Sequence, residues 1–211
     1  NFNPFFTRLT TNPLSGSVLA DAAVQNPSFF SLFIGSDDVM SYALAGAAAD
    51  AITPSDGPAG YGFNESLDLI VNTLMAGGAK GIIANIPNIY AMPYFTTIPH
   101  NGLLLNAANA AALSAAYAPL GISFSTGANG FIIQDASAPG GLRQIKQGEM
   151  ILLSTPQDSL KCAGWGSLKP IPNQYVLTLP EIVQINEATN TFNNKIKSLA
   201  DAKGLALADI N

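Results

Sequence analysis

The densest group of chemistry-bearing side chains is Gly35-Ser36-Asp37-Asp38, which follows the apolar run Ser28-Phe29-Phe30-Ser31-Leu32-Phe33-Ile34. A run that is apolar on both faces and rich in aromatics reads as a buried strand of a mainly parallel sheet. In open parallel sheets ligands bind at the carboxyl ends of the strands. A glycine that lets the backbone turn tightly, followed by three polar side chains, can shape a substrate site there. Two further strand ends are legible: Pro87-Asn88 after Lys80-Gly81-Ile82-Ile83-Ala84-Asn85-Ile86, and Asp209 after Leu205-Ala206-Leu207-Ala208. Asp37 and Asp38 also have a purely structural reading, as carboxylates facing the positive end of the following helix.

Other reactive side chains are sparse. The chain has one histidine, His100, in Ile98-Pro99-His100-Asn101-Gly102. Histidine suits a general base, but a turn of this kind reads as a solvent-facing loop. Ser154 and Ser167 follow apolar or glycine-rich runs, yet neither sits in a Gly-x-Ser-x-Gly nucleophile elbow. The single cysteine, Cys162, can form no internal disulfide and reads as a small, partly buried side chain. Trp165, between Gly164 and Gly166, could stack on a sugar or seat an acyl chain, and reads more simply as a packing anchor. The aromatic loop Tyr90 to Phe95 could wall a pocket or merely pack. Asn64-Glu65-Ser66 matches a glycosylation acceptor and also a helix start capped by Asn64. No metal-ligand spacing and no phosphate-binding glycine loop is present, so neither a metal nor a cofactor is expected.

The elements that must position these residues alternate. Val18 to Gln25 reads as a short helix before Pro27, and Val39 to Ala49 as an alanine-rich one. Leu67, Ile70, Val71 and Leu74 form an apolar stripe at helical spacing, closed by Gly77-Gly78. With the strands on either side, this makes a βαβ unit. Leu105 to Tyr117 reads as a further helix. Short strands are expected at 122–125, 131–134, 150–153 and 175–177, between turns rich in glycine and proline. Residues 121–180 are therefore read as a β-rich insertion on an α/β core, within one domain spanning 1–211. Glu181 to Lys203 is the clearest helix, with Ile185, Ala188, Phe192, Ile196 and Leu199 on its buried stripe.

Bulk properties narrow the function classes. Of 211 residues, 48% are hydrophobic and 11% charged, the opposite of the balance that disorder needs. The net charge is −5 and the few basic residues are scattered, which argues against a nucleic-acid partner. No apolar run is long enough for a transmembrane helix. The start at Asn1 and the end at Asn211 read as those of an excerpt.

Residues 29–43, Phe-Phe-Ser-Leu-Phe-Ile-Gly-Ser-Asp-Asp-Val-Met-Ser-Tyr-Ala, resemble the Gly-x-Asn-Asp block of the SGNH/GDSL hydrolases. The resemblance is greatest to the exported branch common among Bacteroidetes. It continues in order through 78–87, 93–99, 175–177, Phe192-Asn193 and 204–209. It implies a three-layer α/β/α sandwich of the flavodoxin-like type. It also implies a serine ester hydrolase working through an acyl-serine intermediate on a small ester, an acyl lipid or an acylated glycan. Asp37 stands at the position of the family's oxyanion-binding Asn. Gly35, Ser36, Asp38, Pro87 and Asn88 would line the substrate pocket. The family's Gly-Asp-Ser block and Asp-x-x-His block are not found in these 211 residues. The expected sheet thus lacks the central strand that leads to the nucleophile. Residues outside the chain, or another chain, would complete it. The alternative is a non-catalytic binding or surface protein on the same scaffold. The resemblance further implies export to the periplasm or cell surface.

Overall fold

The computed structural model describes residues 10, 16–49 and 51–210; the termini at Asn1 and Asn211 lie outside them. The protein is mixed α/β, with small sheets. It divides into two compact units, one of Asn1–Asp38, Thr53–Pro87 and Ala188–Asn211, the other of Val39–Ile52 and Asn88–Glu187.

The first unit carries helix α1 (Val18–Val24) and strand β1 (Phe29–Leu32). The second unit's residues enter with helix α2 (Asp37–Leu44), whose first two residues still belong to the first unit. Helix α3 (Phe63–Met75) and strand β2 (Lys80–Ala84) follow in the first unit. β2 pairs in parallel with β1, with Phe30 opposite Gly81. A Cβ on Gly81 would lie 2.6 Å from the Phe30 ring, so this glycine lets the ring rest over the neighbouring strand. α3 begins one residue before the expected cap. Gly62 is its extended N-cap, and Asn64 is already helical. Asn64 instead donates its N–H to Ser55 O and its amide to Asp56 Oδ1, which ties down the preceding loop. Gly78, at φ +83°, turns the chain from α3 into β2.

In the second unit a short helix α4 (Pro93–Thr96) precedes strand β3 (Leu103–Leu105) and helix α5 (Ala107–Tyr117). Leu105 was expected to open this helix. Asn106 caps it instead, accepting the Asn109 N–H at 2.8 Å, and so releases 103–105 to pair with strand β4 (Gly127–Asn129). No strand forms at 122–125. Its backbone is held by the Ser114 hydroxyl, which accepts from Phe124 N and donates to Phe124 O. Strands β5 (Ile132–Gln134) and β6 (Leu142–Gln144) pair, as do β7 (Met150–Ile151) and β8 (Val176–Leu177), all antiparallel. The short helix α6 (Gln157–Lys161) lies between the last two. Ile133, Ile145, Ile151, Ile171 and Val176 make one buried cluster in this unit, and Leu105, Leu113, Tyr117 and Ile132 another.

Helix α7 (Leu179–Lys203) begins in the second unit and ends in the first, where strand β9 (Ala206–Ala208) follows. β9 pairs in parallel with β2, giving the sheet order β1-β2-β9. In the first unit Phe63 stacks on Phe192 with ring centroids 4.1 Å apart, and Leu67, Val71 and Ile196 are buried as well. Among the described residues no strand pairs with the outer edge of β1. No described helix is long and apolar enough to cross a membrane.

Candidate functional site

The three strand ends of the parallel sheet belong to the first unit, and side chains stitch them together. At the end of β1, Gly35 is buried with φ +102°, a conformation that glycine adopts without strain. A Cβ there would also lie 2.8 Å from Ile86 Cδ1 and 3.0 Å from the Phe63 ring. The turn therefore needs glycine for its backbone and for its packing. Ser36 comes next, and its Oγ is buried with no hydrogen-bond partner. Asp37 is exposed in the first turn of α2. Asp38 is half-buried; its N–H donates to Gly35 O and its carbonyl accepts from Thr53 N. Both carboxylates thus occupy helix positions that the helix dipole favours.

At the end of β2, Asn85 is buried and works in three directions. Its N–H donates to Ala208 O, its Nδ2 donates to Asp209 Oδ1 at 2.7 Å, and its Oδ1 accepts from Ile210 N at 2.8 Å. The next residue, Ile86, is gripped by Asn193, whose Oδ1 accepts from Ile86 N at 2.7 Å while its Nδ2 donates to Ile86 O at 3.0 Å. Pro87, with no N–H of its own, follows this clamp.

The structure therefore brings Gly35, Ser36, Asp37, Asp38 and Pro87 into one unit, and places Asn88 in the other. There Asn88 Oδ1 accepts from Tyr90 N and opens a 3-10 turn at Ile89–Ala91. Asn85 and Asn193 were not singled out as site residues from sequence. Asn85 carried a signal, a polar residue closing an apolar run. Asn193 was named only in the pair Phe192-Asn193 of the family resemblance.

The remaining candidates lie in the second unit. His100 is half-buried, and its carbonyl accepts from Phe131 N. The Ser167 hydroxyl donates to Gly164 O, while Ser154 is exposed. Cys162 is exposed rather than partly buried. Trp165 is half-buried against Tyr175, as a packing anchor would be. The aromatic loop packs on itself, with Tyr90 and Tyr94 each edge-on to Phe95. The Tyr90 phenol donates to Ile182 O, and burial pushes its pKa upward.

A cleft of about 500 Å³ is lined by Asp135, Ser137, Arg143, Lys146, Glu149 and Thr178, among others. Asp135, Arg143 and Glu149 are paired with one another. Arg143 makes a fork with Glu149 at 2.6 and 2.7 Å and reaches Asp135 through Nε. Glu149 also accepts from Lys146 N and Leu179 N. Among the described residues no group of three His, Cys, Asp or Glu could hold a metal ion. The strand ends thus present a glycine turn followed by a buried hydroxyl and two carboxylates at the start of α2. Comparison with family models, with curated proteins and with solved structures finds no match to this chain.

Proposed function

We propose that this chain forms the strand-end portion of a serine ester hydrolase on a three-layer α/β/α scaffold of the SGNH type. The observation that carries the reading is the Gly35 turn. It sets Ser36, Asp37 and Asp38 at the carboxyl end of a parallel strand, with Gly35 itself packed against Ile86 of the next. Ligands of open parallel sheets bind at such ends. The substrate class is a carboxylic ester, an acyl lipid or an acylated glycan, met outside the cytoplasm. A serine hydroxyl, losing its proton to a histidine, attacks the ester carbonyl. The alcohol leaves, and water then releases the acid. In this proposal residues beyond these 211 supply the serine and histidine, along with a strand for the outer edge of β1. Asp37 favours a second reading, a binding protein without catalysis, because an ionised carboxylate cannot donate to an oxyanion.

Intact mass of the full natural protein, before and after a fluorophosphonate probe, separates the two. One adduct, with hydrolysis of a short p-nitrophenyl ester, is the expected result. No adduct and no hydrolysis would leave the binding role.

A further inference from the structure

We propose that the cleft between the β5–β6 hairpin and the start of α7 binds a neutral sugar, one of whose hydroxyls donates to Asp135 Oδ2 while accepting from Arg143 Nη2. A guanidinium carries five N–H groups in one plane. In Arg143 four are engaged: Nε–H with Asp135 Oδ2, the Nη1 hydrogens with Gln144 O and Glu149 Oε2, and one Nη2 hydrogen with Glu149 Oε1. The fifth, on Nη2, has no partner among the described residues. Planarity turns it to the same side as Nε–H, beside Asp135. Asp135 Oδ1 accepts from both the N–H and the hydroxyl of Ser137, whereas Oδ2 accepts from Arg143 Nε and keeps a lone pair. Glu149 positions the pair. Each of its oxygens accepts two N–H groups, from Arg143, Lys146 and Leu179, so the guanidinium is held in place. A fixed donor beside a fixed acceptor matches one hydroxyl, which gives and takes a hydrogen bond at once.

The cleft has room for such a ligand. Its volume of about 500 Å³ falls within the range of small-molecule sites. Its charges select against ions, because the Asp135 and Glu149 carboxylates balance Arg143 and Lys146. The Ser137 hydroxyl first, against burial and with Arg143 assisting, holds the Asp135 carboxyl down to about 2, so an anion would meet a negative charge. A cation would meet Arg143. Pro139 and Pro180 add apolar surface beside the polar wall, which suits a sugar ring, apolar on its faces and polar at its rim. All these residues lie in the second unit, so the site does not depend on the ester-hydrolase reading.

The test is ligand-detected NMR on the full natural protein with glucose, galactose, mannose and xylose, each titrated to about 50 mM, and with inorganic phosphate as the anion probe. Binding of at least one sugar and not of phosphate is the expected result. Asp135→Asn removes the ionised acceptor and should weaken that binding roughly 10- to 100-fold. Ala138→Leu fills the cleft wall while leaving the side chains of Asp135, Arg143 and Glu149 in place; it should abolish binding and melt near the wild-type temperature. This second variant decides the matter if Asp135→Asn fails to fold. Three outcomes overturn the proposal: no sugar binds, sugar binding is unchanged in a folded variant, or phosphate displaces the sugar. Sugar binding by a protein that takes up no fluorophosphonate would end the hydrolase reading and leave this proposal standing.

Discussion

Single residues set the stability of the second unit through charge. The Glu149 side chain is 1% exposed, and a bare carboxylate at that depth would be strongly unfavourable. Arg143 removes the problem with its two-pronged contact, and Asp135 completes the network. Replacing Arg143 with Met leaves Glu149 buried without a countercharge and should cost about 3–5 kcal/mol in urea unfolding at pH 7. The pH dependence follows from Asp135. Its carboxyl is held down to about 2, first by the Ser137 hydroxyl, with burial opposing and the Arg143 ion pair assisting. A lowered carboxylate contributes stability that is complete above its ordinary value of about 3.9 and is lost as pH falls through the folded value. The stability of the wild type over Asp135→Asn should therefore shrink between pH 4 and 2 when urea unfolding is repeated across that range. A gap that stays constant over that range would contradict the assignment. None of this network was legible in the sequence. Asp135, Arg143 and Glu149 are spaced by 8 and 6 residues; the β5–β6 pairing brings Asp135 to Arg143, and the turn from Lys146 to Glu149 brings in the third.

At the scale of elements, the parallel strands and the long C-terminal helix were legible because their apolar patterns are long and strong. Phe29–Leu32, Lys80–Ala84 and Leu179–Lys203 fall where the pattern put them, within a few residues. Elements whose bounds depend on distant contacts were not. The alanine-rich helix was expected to run to Ala49 and stops at Leu44. Gly46 and Ala47 turn left-handed there, and Gly46 fits against the Gln174 carbonyl, 2.4 Å from where a Cβ would be. No local signal near Ala49 reports a backbone more than a hundred residues away. Gly81 is the opposite case. An isolated glycine inside a strand announces a close approach, and the Phe30 ring is what approaches. Gly81→Val would drive side-chain carbons into that ring and should destabilise the fold by about 1–3 kcal/mol, read from chemical denaturation. A neutral result would mean that Phe30 does not sit over β2. The candidate site divides in the same way. The Gly35 turn was readable as a strand end, whereas the Asn85 clamp depends on two strands meeting across 124 residues and the Asn193 clamp on a helix and a strand meeting across 107.

Over the whole molecule, the parallel sheet shows an imbalance that bears on how it is used. Phe30, Gly81, Ile83 and Leu205 are buried. On the alternating positions Phe29 is 61% exposed, Phe33 is 59% exposed, and Ser31 is exposed as well. Parallel sheets are normally covered on both faces, and an uncovered edge beside an apolar face is a template for association. Among the described residues β1 is an edge strand of this sheet. The 211-residue chain expressed alone should therefore bind an apolar dye and self-associate as its concentration rises in sedimentation. Phe33→Lys should reduce both. Because Phe33 is mostly exposed, its replacement should change unfolding stability by no more than about 0.5 kcal/mol. If Phe33→Lys instead unfolded the chain, Phe33 would have to be buried, and the exposed face would not exist. If the wild-type chain stayed monomeric and bound no dye at high concentration, the face would be covered by the chain itself. The first of these results would reassign a side chain, while the second would remove the need for a strand from elsewhere. The ester-hydrolase proposal requires that strand, so this measurement on the isolated chain bears on it without any assay of activity.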